Sequence, residues 1–177
     1  MGVSLIPNSS DTTGSQRQFR IVGMPISAIV FLILTAVIAL LWSHYQLLWT
    51  DEFYSLETDS VASVARLVHI QLTTPTSLDP LAYHIFAHAA IRLFGVGSFA
   101  IRLPSICGYL LMQICLFYFV RRITIERAAI FALAFPALVG IVTYSVQARP
   151  YGLLLGLSAL AMVSWQTVNV PWACFSG

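Results

Sequence analysis

The sequence predicts an all-α, polytopic membrane protein: about four transmembrane helices, with two amphipathic helices lying at the interface in a long first outer loop. Three observations lead there. Of 177 residues, 58% are hydrophobic and 9% charged, where a soluble domain carries about 25% charged residues. The apolar residues fall in long uncharged runs. Between the runs lie segments that collect the acids, the arginines and the histidines. Net charge is +2 and all nine basic residues are arginines scattered along the chain, so no clustered basic face exists to bind nucleic acid. Such low charge also excludes a disordered chain. The expected surroundings are a lipid bilayer.

Residues 1–20 are polar, end in Arg17 and Arg20, and read as a cytoplasmic N-terminus. The first span is 21–42. Its 22 uncharged residues make roughly 33 Å of helix against about 30 Å of hydrocarbon. A signal peptide would have an apolar core of about 7–15 residues and a small-residue cleavage site. Here His44, Tyr45 and Gln46 follow instead, so the helix is retained. The further spans are 101–120, 128–144 and 151–168. Pro136 falls inside the third, which a membrane helix tolerates when neighbours satisfy the freed carbonyl.

Arg17, Arg20, Arg121, Arg122 and Arg127 fall on one side of this alternation, and Arg66, Arg92, Arg102 and Arg149 on the other. Positive charge flanking the first two spans places the N-terminus inside. That reading gives a plasma (inner) membrane protein whose outer aromatic belt is Trp42, Tyr45 and Trp49. The stretch 21–168 forms one membrane domain, and the tail 169–177, without a basic anchor, reads as truncated. Cys107 and Cys115 sit eight residues apart in one run, about 12 Å along a helix. A disulfide needs Cα atoms within about 7 Å, so they are apolar fillers, and Cys174 has no evident partner.

The outer loop, 43–100, carries the chemistry. Five of the seven acids are here: Asp51, Glu52, Glu57, Asp59 and Asp79. Residues 60–71 repeat apolar side chains at Val61, Val64, Ala65, Val68 and Leu72, with Ser63, Arg66 and His69 facing away and Asp59 as the N-cap. Residues 80–94 begin with Pro80 and set His84, His88 and Arg92 in a polar stripe, ended by Gly95 and Gly97. Both segments predict helices lying in the interface, polar face outward. His84 and His88 have the spacing of two metal ligands on one helix face. The sequence fixes no third ligand, so no metal site is assigned, and a divalent cation is neither required nor excluded. Glu57, Asp59 and Asp79 read as a solvated face. Asp51 and Glu52 differ, because they stand where the first span leaves the bilayer, beside Trp49 and Phe53. A carboxylate there can take a proton from an acceptor hydroxyl.

Three segments resemble the N-terminal part of a GT-C type integral-membrane glycosyltransferase, in the protein mannosyltransferase-like branch. That branch includes lipid A aminoarabinose transferases and lipopolysaccharide galacturonosyltransferases. The segments are WTDEFYS at 49–55, PLAYHIFAHAAIRLFGVGSFAIRLPS at 80–105 and YSVQARPY at 144–151. The resemblance implies a polyprenyl-phosphate sugar donor, with Asp51 as catalytic base and Glu52 supporting it. It also implies Arg149 as a contact for the donor phosphate, alongside Tyr144, His88 and Arg92 as family positions of the substrate site. Two residues depart from the pattern: Gln147 replaces a frequent glutamate before Ala-Arg-Pro, and Asp79 takes one place of a proline pair.

The function that follows is transfer of a sugar from polyprenyl phosphate to a lipid, glycan or protein acceptor at the outer face of the membrane. Relatives of this kind carry roughly a dozen spans, so this chain reads as a fragment, or as one whose missing helices come from a second chain. The rival from another class is a small non-catalytic membrane protein or truncated pseudo-enzyme acting as an assembly partner. A transporter would need ionisable residues at mid-membrane, and all four spans lack an acid there.

Overall fold

A computed structural model describes residues 23–73 and 79–167, and all regular structure among them is helical. In chain order the helices are α1 (Ile26–Tyr45), α2 (Thr50–Asp59), α3 (Val64–Thr73), α4 (Leu81–Phe94), α5 (Ser98–Arg121), α6 (Glu126–Leu138) and α7 (Tyr151–Thr167), with a 3₁₀ segment at Ile141–Ser145. The expected N-terminal segment 1–20, the start of the first span, the tail 169–177 and Cys174 lie outside the described residues.

The longest helix, α5, is the axis on which α1, α4, α6 and α7 pack. Its 24 residues make roughly 36 Å. At one end Arg121 donates to the Gly23 carbonyl before α1 and pairs with Glu126 of α6, while Arg122 reaches the Val163 carbonyl of α7. At the other end, residues from the C-terminus of α1, from α2 and from the segment before α7 converge on Arg102. Helices α1 and α6 therefore run antiparallel to α5, while α7, whose start packs on Ser105 and whose end meets Arg122, runs parallel to it. Close approach of α7 is made by glycine. A Cβ on Gly152 would collide with the Ser105 backbone, and one on Gly156 with the Gly108 backbone. This is the small-residue contact that lets apolar helices touch where lipid offers no hydrophobic driving force.

Helices α1 and α5 are long and apolar enough to cross a membrane. The third expected span, 128–144, is not one helix. Its α-helix ends at Leu138, with Pro136 inside the last turn, where its missing N–H leaves one rung of the ladder unmade. Gly140 then adopts φ 77° in the left-handed region, and the chain continues as 3₁₀ turns. At 13 residues, α6 makes roughly 20 Å, and the 17 residues of α7 roughly 26 Å. Apolar patterning marked the run but could not mark the break.

The loop 43–100 departs further from expectation. Residues 50–59 are themselves a helix. Asp59 does not cap α3, because it is the last residue of α2 and fully buried; Ser63 takes the capping place, its Oγ accepting the Arg66 N–H. Of α3 only Leu67 is buried, while Val64 and Leu72 of the expected inward stripe are exposed. In α4 the polarity is inverted. His84 and His88 are buried with Tyr83, Ala87 and Ala90, and Ile85, Phe86, Leu93 and Phe94 are exposed. The physical reason is that both histidines bond Asp59, which satisfies them inside and leaves the apolar side outward, as suits a lipid-facing surface. Asp79, at 9% exposure, is likewise not a solvated acid.

Arg102 closes this end of the bundle. Fully buried in the first turns of α5, it donates from Nε and Nη2 to Glu52 (3.2 and 2.5 Å). It also donates from Nη1 to the Ser43 and Gln46 carbonyls and from Nη2 to that of Leu47. Those carbonyls lie in the last turn of α1 and just beyond it, where the helix itself supplies no donor. One side chain thus caps α1, neutralises α2 and belongs to α5. Arg102→Met will lower stability by about 3–5 kcal/mol, since it strands a buried carboxylate. Arg102→Lys will recover only part, because one ammonium cannot match the fork of the guanidinium. Thermal unfolding in detergent micelles measures both.

Candidate functional site

The site is built on the first turn of α2. Trp49 stands at its N-cap, and Glu52, three residues on, reaches back so that Oε2 accepts the Trp49 N–H at 3.2 Å. This is half of a capping box. Glu52 is also buried, and its Oε1 accepts the Ala148 backbone N–H at 2.6 Å besides the Arg102 bond. Its two oxygens therefore take donors from α2, from α5 and from the segment entering α7. That is how residues 49–52 and 147–151, a hundred positions apart in the chain, come to share one wall.

Asp51 precedes Glu52 by one residue, about 100° around the helix, and so points the other way. Its side chain is 68% exposed and pairs with Nη2 of Arg149, itself 31% exposed. Nη1 of Arg149 lies 3.7 Å from Asp79 Oδ1. The Arg149 carbonyl accepts a 2.5 Å bond from Ser105 Oγ of α5, which fixes the backbone that carries the guanidinium. A cleft of about 310 Å³ opens between these groups, lined by Trp49, Asp51, Glu52, Gln147, Arg149 and Tyr151. Tyr144 stands edge-on to Tyr151, ring centroids 5.7 Å apart. Among the described residues no group of three His, Cys, Asp or Glu is arranged to hold a metal ion.

Asp51, Glu52 and Arg149 thus come together, with Tyr144 one ring away. The other two expected site residues do not line the cleft: His88 is buried with its Nδ1 on the Asp59 carbonyl, and Arg92 is exposed toward the end of α4. The sequence reading missed Arg102, Ala148 and Asp79. A signal existed for Arg102, because a charge inside a span demands a partner, and the partner is Glu52. For Ala148, which contributes only a backbone N–H, no side-chain signal was available.

Chemically, the cleft pairs an exposed acid with a partly exposed guanidinium. An exposed pair of this kind contributes about 0–1 kcal/mol, so a phosphate can exchange for the carboxylate at Arg149 with little loss. Glu52→Gln will destabilise the chain far more than Asp51→Asn, by about 3–5 kcal/mol against less than about 1. Parallel melting curves of the two variants measure the gap, and equal losses would contradict this division.

No curated protein and no solved structure matches the chain. A family profile does, over residues 79–169, from Asp79 before α4 through α5, α6 and α7, and so over half the chain. On that match the chain belongs to the dolichyl-phosphate-mannose-protein mannosyltransferase family, of the GT-C glycosyltransferase type.

Proposed function

We propose that this chain carries the donor-phosphate and base groups of a sugar transfer from a polyprenyl-phosphate donor to a hydroxyl or amine of a lipid, glycan or protein acceptor. The observation that carries the reading is the shared cleft, in which exposed Asp51 and half-buried Arg149 face one another on backbones fixed by Glu52 and Ser105.

The donor's phosphate diester takes the place of the Asp51 carboxylate on Arg149, whose planar fork suits two phosphate oxygens. Asp79 keeps the guanidinium from swinging away during that exchange. Asp51, released, accepts the proton of the acceptor as its oxygen or nitrogen attacks the anomeric carbon from the face opposite the phosphate. The new glycosidic bond forms, the bond from the anomeric carbon to the phosphate oxygen breaks, and configuration inverts. Polyprenyl phosphate leaves with the added negative charge held by Arg149. Trp49 and Tyr151 line the cleft and supply aromatic rings for contact with the sugar. Holding both reactants in one cleft supplies the orientation that a bimolecular step in water lacks.

The topology proposed with this function has the N-terminus in the cytoplasm and the cleft at the outer face of the inner membrane. The exposed apolar sides of α1 and α7 then meet lipid, with Ile26, Ile33 and Leu41 on the one and Leu154 and Trp165 on the other. The cluster of Arg121, Arg122 and Arg127 falls on the inner side.

Asp51→Asn will lower transfer of labelled sugar from polyprenyl phosphate by about 10²–10⁴-fold, the range of a general base, while the melting temperature hardly moves. Arg149→Lys will weaken donor binding and so raise KM for the donor more than it lowers kcat. Full transfer by the Asp51→Asn variant would remove the mechanism.

A further inference from the structure

Away from the cleft, at the opposite end of α2, lies a buried titratable cluster that the proposed transfer does not use. Asp59 is fully buried. Its Oδ1 lies 2.7 Å from His84 Nδ1, and its backbone carbonyl lies 2.7 Å from His88 Nδ1. Its other oxygen, Oδ2, is buried and has no hydrogen-bond partner among the described residues. A carbonyl can only accept, so His88 must carry a proton on Nδ1. The bond to His84 is different, because either the imidazole donates to a carboxylate or a carboxylic acid donates to the imidazole.

We propose that Asp59, His84 and His88 are positioning residues, forming a proton-sharing clasp that fixes the C-terminal end of α2 on α4 and so holds the Asp51 end in place. The inference rests on the proposed function only in naming Asp51 as the group positioned. Its geometric basis is that α2 is one short helix held at two ends. Glu52 and Arg102 fix the first turn, and Asp59 fixes the last. Ten residues span roughly 15 Å, so a shift of the last turn on α4 tilts the first.

The groups facing Asp59 are His84 and His88 of α4, and Asp79 before α4 acts on it by charge. Tyr83 of α4 lies within its field. Glu57 of α2 and Arg66 and His69 of α3 are exposed. Burial holds the Asp59 carboxyl above its ordinary value of 3.8, while the His84 bond and charge and the His88 charge pull it back. The folded chain therefore binds this proton more readily than the unfolded chain. That contribution to stability is fully present below the ordinary carboxylate value and is lost as pH rises through the raised one.

The test uses the full chain in lipid nanodiscs, melted across pH 4 to 8, with nitrogen-15 NMR of the imidazoles. The melting temperature of the unaltered chain will fall as pH rises through the range above 3.8. Asp59→Asn, which keeps an acceptor for His84 without the charge, will flatten that limb and melt about 3 °C higher near neutral pH. His84→Asn keeps a donor near the Nδ1 position but removes the imidazole charge, so the falling limb will move to higher pH. His88 will hold its proton on Nδ1 throughout. A limb unchanged in both variants, or a His88 neutral with its proton on Nε2, would overturn the clasp. None of these readouts depends on sugar transfer. An inactive chain that melts as described upholds the clasp and counts against the transferase reading, whereas an active chain with an unchanged limb does the reverse.

Discussion

The constraint on which the rest depends is a single buried arginine. Arg102 sits where α5 begins and spends all of its donors on two things that water would otherwise have to satisfy: the open carbonyls at the end of α1 and the carboxylate of Glu52. Such a pair adds little net stability over an apolar replacement of equal volume, because taking both charges from water costs several kcal/mol each. Its effect is specification. This arrangement of α1, α2 and α5 satisfies every donor of Arg102, and Glu52 extends it to Ala148, which fixes the residue before Arg149.

Neighbouring carboxylates on one helix turn therefore have opposite tasks. Among the described residues Glu52, 3% exposed, has four protein donors, whereas Asp51, 68% exposed, has one, on a partly exposed side chain. The first holds structure and the second is available for chemistry. Environment alone makes the distinction, as it does wherever two like acids in one site take different roles. By the same logic Arg149, tied by its backbone to Ser105 but held by exposed or longer contacts at its guanidinium, is the group to which the proposed mechanism gives the donor phosphate.

Much of this was legible in the sequence. Long apolar runs located α1, α5 and α7, and the proline before Leu81 with the glycines after Phe94 bounded α4. Two of the three motif segments, 49–55 and 144–151, meet at the cleft, and the third, 80–105, reaches it only from behind, through Arg102 on Glu52 and Ser105 on the Arg149 carbonyl. What failed was reading polarity as exposure. The stripe of His84 and His88 looked like a wet face because its partner, Asp59, sits 25 residues away in sequence and pattern along one helix cannot see across to another. Asp59 and Asp79 were misread as solvated for the same reason. Helix α2 went unseen because its ten residues mix acids and aromatics with no clean period, and long-range bonds through Glu52 and Asp59 rather than an apolar stripe hold it. The break after Pro136 depends on Gly140 taking a left-handed backbone, which composition does not announce.

The central claim is that the Arg102–Glu52 pair holds Asp51 and Arg149 in one cleft. It is tested most directly by cysteine cross-linking, with Asp51→Cys and Arg149→Cys introduced together after Cys107, Cys115 and Cys174 have been replaced by alanine. A bifunctional thiol reagent whose spacer matches the reach of the Asp51–Arg149 side-chain pair should join the two positions rapidly in membranes while Arg102 is present, and slowly or not at all when Arg102→Met is added, even in chains that remain inserted. Equal cross-linking with and without Arg102, or none in either, would contradict the account.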